Sequence, residues 1–536
     1  MGKAGEGIDI SLSLRNFIKF DLDIPGLHIA GCKPLMGAVT LNSDEMSDLD
    51  REIKSLAQQI DSAPKLSDTT VLKELDERCV RILSIADSRN ASRIWYYRSN
   101  IYSSLQNLTD PRSWKWRQPD RERQILYLRR ARAELGFSEL SSLIRAQITT
   151  NLANSLNSLG RGVEAIEIYE MALDHHPDFA MALANRGRAL IDLARCLRDS
   201  GYVAPILLAA HHDLTAAASP QAVWDGLYPG MRDNFIVKIR EIEAVMDVSA
   251  VRAETRLEGH NLGRSNREKA YRRWALDNRL FLSPLNVLGP HTIAATDHFG
   301  LPGYRAPRND PPQFVAWYNQ LMQEYVAARL FFFESTELPA NHFADRELAL
   351  VDTLDSPAFG LSLEKMRSAF RIAYSLLDKV AGFINAYFQL GLNPERVNLR
   401  GVWLNRNGRS IRSEFLERPN LALRGLYWLA LDVVGERPTD VDAITPEASE
   451  LHRLRNALEH RCLVLREIDT AQRFGVVETE TVEVFLRQTL KMMKLARASL
   501  LYLSFAVHQE EEARAEVDQR SAFAIDLPAY NGRLQI

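Results

Sequence analysis

Cysteine is nearly missing from this chain: there are four in 536 residues, Cys32, Cys79, Cys196 and Cys462, all far apart. None forms a CxxC pair or joins a histidine at zinc-finger spacing, which argues against a disulfide scaffold or a zinc module and predicts free thiols in a reducing, cytoplasmic setting. Long apolar runs are also lacking. The longest, such as Leu500 to Val507 interrupted only by Ser504, are too short to span a bilayer, and no charged-then-apolar leader opens the sequence, so no membrane partner is expected. Neither charge sign dominates: 66 Lys and Arg stand against 69 Asp and Glu, a formal net charge of -3. Net charge therefore selects no partner. With 46% hydrophobic residues, 27 Gly and 22 Pro, the composition is that of a folded chain. Its length calls for two or three domains.

Local charge is more informative. Between Arg93 and Arg132 ten Lys or Arg face three Asp or Glu. Such a stretch suits RNA or DNA, but an Arg-rich solvated helix surface is the favoured reading. Residues 1–90 read as a lead-in to about Asn42 followed by helices, the first opening at Ser43-Asp44-Glu45 and reaching about Ile60, the second covering Thr70 to Ile85.

Between Ala146 and Ala189 a repeat is legible. Ala153, Gly160, Ala165, Tyr169, Ala172 and Pro177 have the order of small, aromatic and terminating residues of paired helices, and Gly187 follows Ala153 by 34 residues. Small residues let two helices approach, Tyr169 fills the groove between them and Pro177 stops the second. The stretch resembles a tetratricopeptide repeat, with one good unit and the first helix of the next. Trp95, Ser99 and Tyr102 suggest a degraded earlier unit with an insertion around Asp110 to Asp120. Helices at Tyr202 to Thr215 and Asn234 to Met246 would extend or cap a TPR-like solenoid over residues 91–250. Such a solenoid implies a protein or peptide partner and no chemistry of its own.

Past Val251 the texture changes. A basic stretch, Arg264 to Arg279, precedes a Pro- and Gly-punctuated segment ending near Pro312, which places a domain boundary near residue 250. Helical patterns follow at Gln313–Thr336, Ser362–Leu390, Asn420–Val434, Pro446–Glu467 and Glu478–Val517. Between the second and third, Asn407-Gly408 favours a two-residue turn, so a short β-hairpin over Val402 to Phe415 is expected. The expected fold class is all-α: a TPR-like solenoid, a helical domain over residues 251–524 and a tail over 525–536.

The segment that carries chemistry starts at Thr445-Pro446-Glu447, a plausible N-cap, a first-turn proline and an acid at the positive end of the helix dipole. At about 100° per residue, Leu451, Leu454, Leu458, Cys462 and Leu465 form one apolar stripe. His460 lands opposite it, Asn456 lies one turn earlier on nearly the same face, and Arg455 sits at the stripe's edge. His460 therefore points to solvent or to a partner.

An Arg followed by a polar residue, with a His four to six residues beyond, resembles the signature of the HEPN superfamily. Arg455-Asn456-x-x-x-His460 has that form, and Arg455-Asn456-Ala457-Leu458-Glu459-His460 together with Leu423-Arg424-Gly425-Leu426-Tyr427-Trp428 is similar to a prokaryotic branch with an upstream TPR-like region. The resemblance covers Val251 to Ala524. It implies metal-independent RNA cleavage, with no cofactor, by a homodimer in which two motifs face each other across a cleft. The residue types suit that chemistry. Attack of a ribose 2′-OH on the adjacent phosphate needs a proton acceptor working near neutral pH, which histidine is. The charge that builds on phosphorus needs directed cationic donors, which arginine supplies. Asn456 would orient the imidazole or a phosphate oxygen.

Plainer readings stand beside these. His460 also reads as an exposed surface histidine, Arg455 as a weak i,i+4 partner of Glu459, and Asn456 as an ordinary polar residue. His452, Arg453, Glu459 and Arg461 read as supporting or solvated. His175-His176 reads as a surface turn before a metal pair, and Phe331-Phe332-Phe333 as core before a base-stacking platform. Trp114 and Trp116, among Arg112, Lys115 and Arg117, read as loop packing before nucleotide stacking. The functional expectation is an RNA-cleaving toxin or anti-phage effector. The alternatives are a non-catalytic interaction protein binding RNA, a nucleotide or a protein partner, and a TPR regulator that simply recognises a peptide.

Overall fold

Short polar residues start many of the helices. Asp68 accepts from the Thr70 amide at 2.7 Å, Asp87 from Asn90 at 2.7 Å and Ser265 from Glu268 at 3.1 Å, each satisfying a donor that the first turn leaves free. The computed structural model describes residues 48–62, 68–110, 114–226, 230–305, 312–338, 342–351, 353, 355–405, 407–408, 410–434, 446–468 and 477–517. The expected lead-in with Ser43-Asp44-Glu45, the Thr445 cap and the 525–536 tail lie outside the described residues. No helix among them is long and apolar enough to cross a membrane.

The first part is a series of helices: α1 (Asp48–Ser62), α2 (Thr69–Leu83), α3 (Ser88–Thr109), α4 (Pro119–Ala133), α5 (Ser142–Ser158), α6 (Gly162–His175), α7 (Ala180–Arg195), α8 (Ser200–Ala218), α9 (Met231–Val245) and α10 (Val248–Glu254). They pack as successive pairs, α3 on α4, α5 on α6 and α7 on α8. Ala153, Ala165, Tyr169 and Ala172 are buried at these contacts, with the Tyr169 hydroxyl bonded to Asn154 at 2.7 Å. At Gly187 a Cβ would stand 2.9 Å from the Leu214 side chain, so only glycine allows α7 and α8 to close.

The second part contains α11 (Asn266–Asp277), α12 (Gln313–Glu337), α13 (Leu361–Tyr387), the one-turn α14 (Ser413–Leu416), α15 (Leu421–Val434), α16 (Pro446–His460) and α17 (Val482–Val517). Helix α13 packs on α12, α16 and α17, and α15 packs on α16 and α17. A small sheet closes one side: β2 (Leu463–Arg466) pairs antiparallel with β1 (Pro357–Ala358) and parallel with β3 (Glu478–Thr481).

This sheet corrects two expected helices. The Pro446 helix stops at His460 instead of reaching Glu467, and the last helix begins at Val482 because Glu478–Thr481 is strand. Leu463-Val464-Leu465 suits either state by sequence, and partners from distant segments decide it. Leu465 is buried in the sheet, while Cys462, assigned to the helical stripe, is exposed once the helix has ended. The expected hairpin over Val402 to Phe415 is reduced to a single antiparallel bridge, Leu404 to Ile411, around Gly408 at φ 67°.

The two parts share one hydrophobic core. Asp432 of α15 is buried and accepts two bonds from Arg129 of α4, at 2.8 and 2.7 Å, and another from Arg161 at the start of α6. Gly425 of α15 lies against the Gly160 carbonyl so tightly that a Cβ would be 2.4 Å from its oxygen. Trp116 is buried among Trp403, Phe415 and Tyr427, and Trp114 stacks on the Arg424 guanidinium at 4.2 Å. The inserted loop thus packs on the second part. The basic stretch Arg93–Arg132 is corrected too: Arg98 pairs with Asp76 at 2.6 Å, Arg129 with Asp432, and Arg123 and Arg130 lie over Tyr102 and Trp95, so much of its charge is turned inward. Phe332 and Phe333 are core residues against Trp274. His175 and His176 pack on Phe137 and Phe179.

Candidate active site on the Pro446–His460 helix

Helix α16 is held by Leu451, Leu454, Ala457 and Leu458, all buried. Arg371 of α13 donates to the Leu458 carbonyl at 2.6 Å and so covers one of the free acceptors at its C-terminal end. With that face fixed, the wheel carries His452, Asn456 and His460 outward: His452 and His460 are exposed and Asn456 half-buried. The exposed ring that the sequence pattern requires is present.

Arg455, Asn456 and His460 meet. One nitrogen of Arg455, Nη1, lies 3.1 Å from Asn456 Oδ1 and 3.3 Å from His460 Nε2. A guanidinium only donates, so the two hydrogens of Nη1 serve two acceptors. In this contact His460 Nε2 is the accepting nitrogen. Glu459 does not take Arg455; it stands 3.9 Å from Arg371 on α13.

Four further groups complete the site. His452 Nε2 is 2.9 Å from Asn456 Nδ2. Burial, then the charges of Arg455 and Arg400, push the His452 pKa down. Tyr374 of α13 lies beneath the Arg455 guanidinium, 5.6 Å from ring centre to charge, and burial pushes its hydroxyl up to about 12. Asp378, one turn on, accepts from the Leu399 amide at 3.0 Å. Burial raises its carboxyl, opposed by that amide and by Arg455. His452 is within reach of sequence reasoning, four residues before Asn456 on the same face, where the pattern reads it as supporting or solvated. Tyr374, Asp378 and Arg400 carry no such signal, because they come from other segments. Arg453 pairs with Glu478 and Glu480 of β3 at 3.2 and 2.5 Å, and Arg461 with Glu478 at 3.4 Å, so these two arginines fasten helix to sheet. Among the described residues no group of three or more His, Cys, Asp or Glu side chains could hold a metal ion.

The helical bundle carries an outward Arg-Asn-x-x-x-His face on α16, and a family match over residues 306–510 supports membership of the HEPN superfamily. The family model they match is the LA2681-like HEPN domain. The matched segment includes α12, α13, α15, α16 and the whole of the Arg455–His460 motif. No curated protein and no solved structure matches the chain.

Proposed function

We propose that the HEPN domain is a metal-independent endoribonuclease and that the chain works as a regulated toxin or anti-phage effector. The observation that carries this reading is the direct contact of Arg455 with His460 on an exposed helix face. In the free protein Arg455 covers the lone pair of His460. A phosphodiester arriving at this face competes for the guanidinium, which binds phosphate oxygens more strongly than a neutral ring nitrogen. His460 Nε2 is then free to take the proton of the ribose 2′-OH as its oxygen attacks phosphorus. The bond to the 5′-oxygen breaks, that oxygen takes a proton from solvent, and the products are a 2′,3′-cyclic phosphate and a 5′-hydroxyl. Arg455 supports the charge that builds on the phosphoryl oxygens.

The family resemblance supports a homodimer with two motifs across a cleft, and the helix pairs of α3 to α8 support a protein or peptide partner that restrains or triggers the site. The purified protein should cleave single-stranded RNA in excess EDTA, and Arg455→Ala and His460→Ala should each abolish cleavage while leaving circular dichroism and melting unchanged. Cleavage at the wild-type rate by either variant removes the site. RNA binding without cleavage by the wild-type protein favours an interaction module.

A further inference from the structure

The orientation of one amide decides whether Arg455 is held. Arg455 only donates, so Asn456 must present Oδ1 to it, and the 3.1 Å contact is Nη1 donating to that oxygen. The other end of the amide, Nδ2, then faces His452 Nε2 at 2.9 Å. An amide NH2 also only donates, so His452 Nε2 accepts and its proton is on Nδ1. The chain of contacts is therefore directional: His452 fixes Asn456, Asn456 fixes Arg455, and Arg455 reaches His460 at 3.3 Å.

We propose that His452 is a positioning residue of the site: its neutral ring locks the Asn456 amide in the orientation that holds Arg455, and protonation of His452 turns the amide over and releases Arg455. The inference rests on the ribonuclease reading for its consequence in catalysis. Once Nε2 of His452 carries a hydrogen, it faces the two hydrogens of Nδ2. The amide relieves this by rotating, which puts Nδ2 against Arg455 Nη1, donor against donor. The guanidinium then has no acceptor at Asn456, and its aim towards His460 is lost. The charged groups facing His452 are Arg455 on its own helix and Arg400 from the segment after α13, and both, with burial, favour the neutral ring. The device keeps the site assembled at neutral pH and loosens it in acid.

Two measurements on the full chain test this. The first needs no RNA: the ring Cε1–H resonances of histidine are followed by NMR from pH 8 to about 4.5, a window spanning histidine's ordinary pKa. In the wild-type protein the His460 resonance should show a second step coinciding with the titration of His452. In His452→Gln, whose amide oxygen can accept from Asn456 at every pH, that step should vanish. A His460 curve identical in the two proteins overturns the proposal. The second is cleavage of a fluorophore-labelled single-stranded RNA. His452→Ala should lose about tenfold at pH 7.5, the worth of one orienting hydrogen bond. His452→Gln should restore the rate and remove one protonation from the acid limb of the profile. Failure of the glutamine to restore activity, or an unchanged acid limb, also overturns it. If the NMR coupling is present but the wild-type protein cuts no RNA, the positioning role stands and the ribonuclease reading falls.

Discussion

Asp432→Asn would put the junction between the helical array and the HEPN domain to a quantitative test. Asp432 is buried and holds Arg129 by two parallel bonds and Arg161 by a third. Removing one partner of a buried pair costs about 3–5 kcal/mol, because the charge left behind stays unsolvated. Two features place Asp432→Asn at the lower end. Arg161 keeps Glu164 at 2.8 Å, and the Arg129 side chain, 19% exposed, can turn to water. The expected loss is about 3 kcal/mol, read as a lower urea midpoint in circular dichroism at pH 7. Arg129→Ala should lose less, since Arg161 still neutralises the carboxylate. The pH dependence has a defined sign. Burial opposes ionisation of Asp432, but Arg129 and Arg161 outweigh it and hold the carboxyl well below the usual carboxylate range. The contribution is complete above the unfolded value, about 3.9, and disappears only as pH falls through the lower folded value. Wild type and Asp432→Asn should therefore differ equally at pH 5 and pH 8. A loss under about 1 kcal/mol, the worth of an exposed pair, or a difference already gone at pH 5, would refute the assignment of a buried ion cluster.

Substitutions at three other positions read separate parts of the structure. His508 of α17 is pushed down to about 4 by burial and by Arg198, whose Nε donates to its Nδ1 at 2.9 Å; stability from this group is complete above about 6.5 and lost as pH falls towards its folded value, up to about 3 kcal/mol, so His508→Gln should flatten the drop in urea midpoint between pH 7 and pH 5. Gly425→Ala should destabilise by about 1–3 kcal/mol through the clash with the Gly160 carbonyl, and an unchanged melting temperature would show that the crossing is looser than the 2.4 Å approach implies. Tyr374→Leu, which keeps an apolar though smaller side chain but removes the ring under Arg455, should lower RNA cleavage about fivefold on about 1 kcal/mol of cation–π energy, while Tyr374→Phe should stay within about twofold; equal rates would show that the ring contributes nothing.

The long helices were legible because their signal is local. Gln313–Glu337 and Leu421–Val434 fall within a residue of their expected limits, and α13 and α16 start where a glycine or proline marks them. Periodicity repeated over several turns leaves little room for another state. The sheet was not legible. Its central strand has four residues, the first pairing partner lies more than a hundred residues upstream, and the second belongs to a segment whose sequence continues smoothly into a helix. Nothing inside Leu463–Arg466 encodes those partners. Arg466 itself is buried and paired with Asp355 at 2.5 Å, an anchor visible only after the chain has folded back. The arginine-rich stretch Arg93–Arg132 misled for a related reason: an inward arginine and a solvated one look alike until the acid or ring that meets it is known.

The motif divides along the same line. Arg455, Asn456 and His460 could be placed on one side of a helix by counting, and the exposure of His460 followed from the burial of Leu451, Leu454 and Leu458. Counting does not say what state the side chains adopt, since an i,i+5 arginine and histidine can point apart or together. The structure decides this through groups from elsewhere. Tyr374 gives the guanidinium a floor, Arg371 takes Glu459 away as a competing acceptor, and Arg453 and Arg461 fasten the helix end to β3. With its other outlets closed, Nη1 turns to Asn456 and His460, and a donor-only group then fixes the tautomers around it. A spacing of four residues between Arg455 and His460 is thus necessary for the contact but not sufficient. Removing Arg371 would free Glu459 to pair with Arg455 and should weaken the hold on His460 without altering a single residue of the motif.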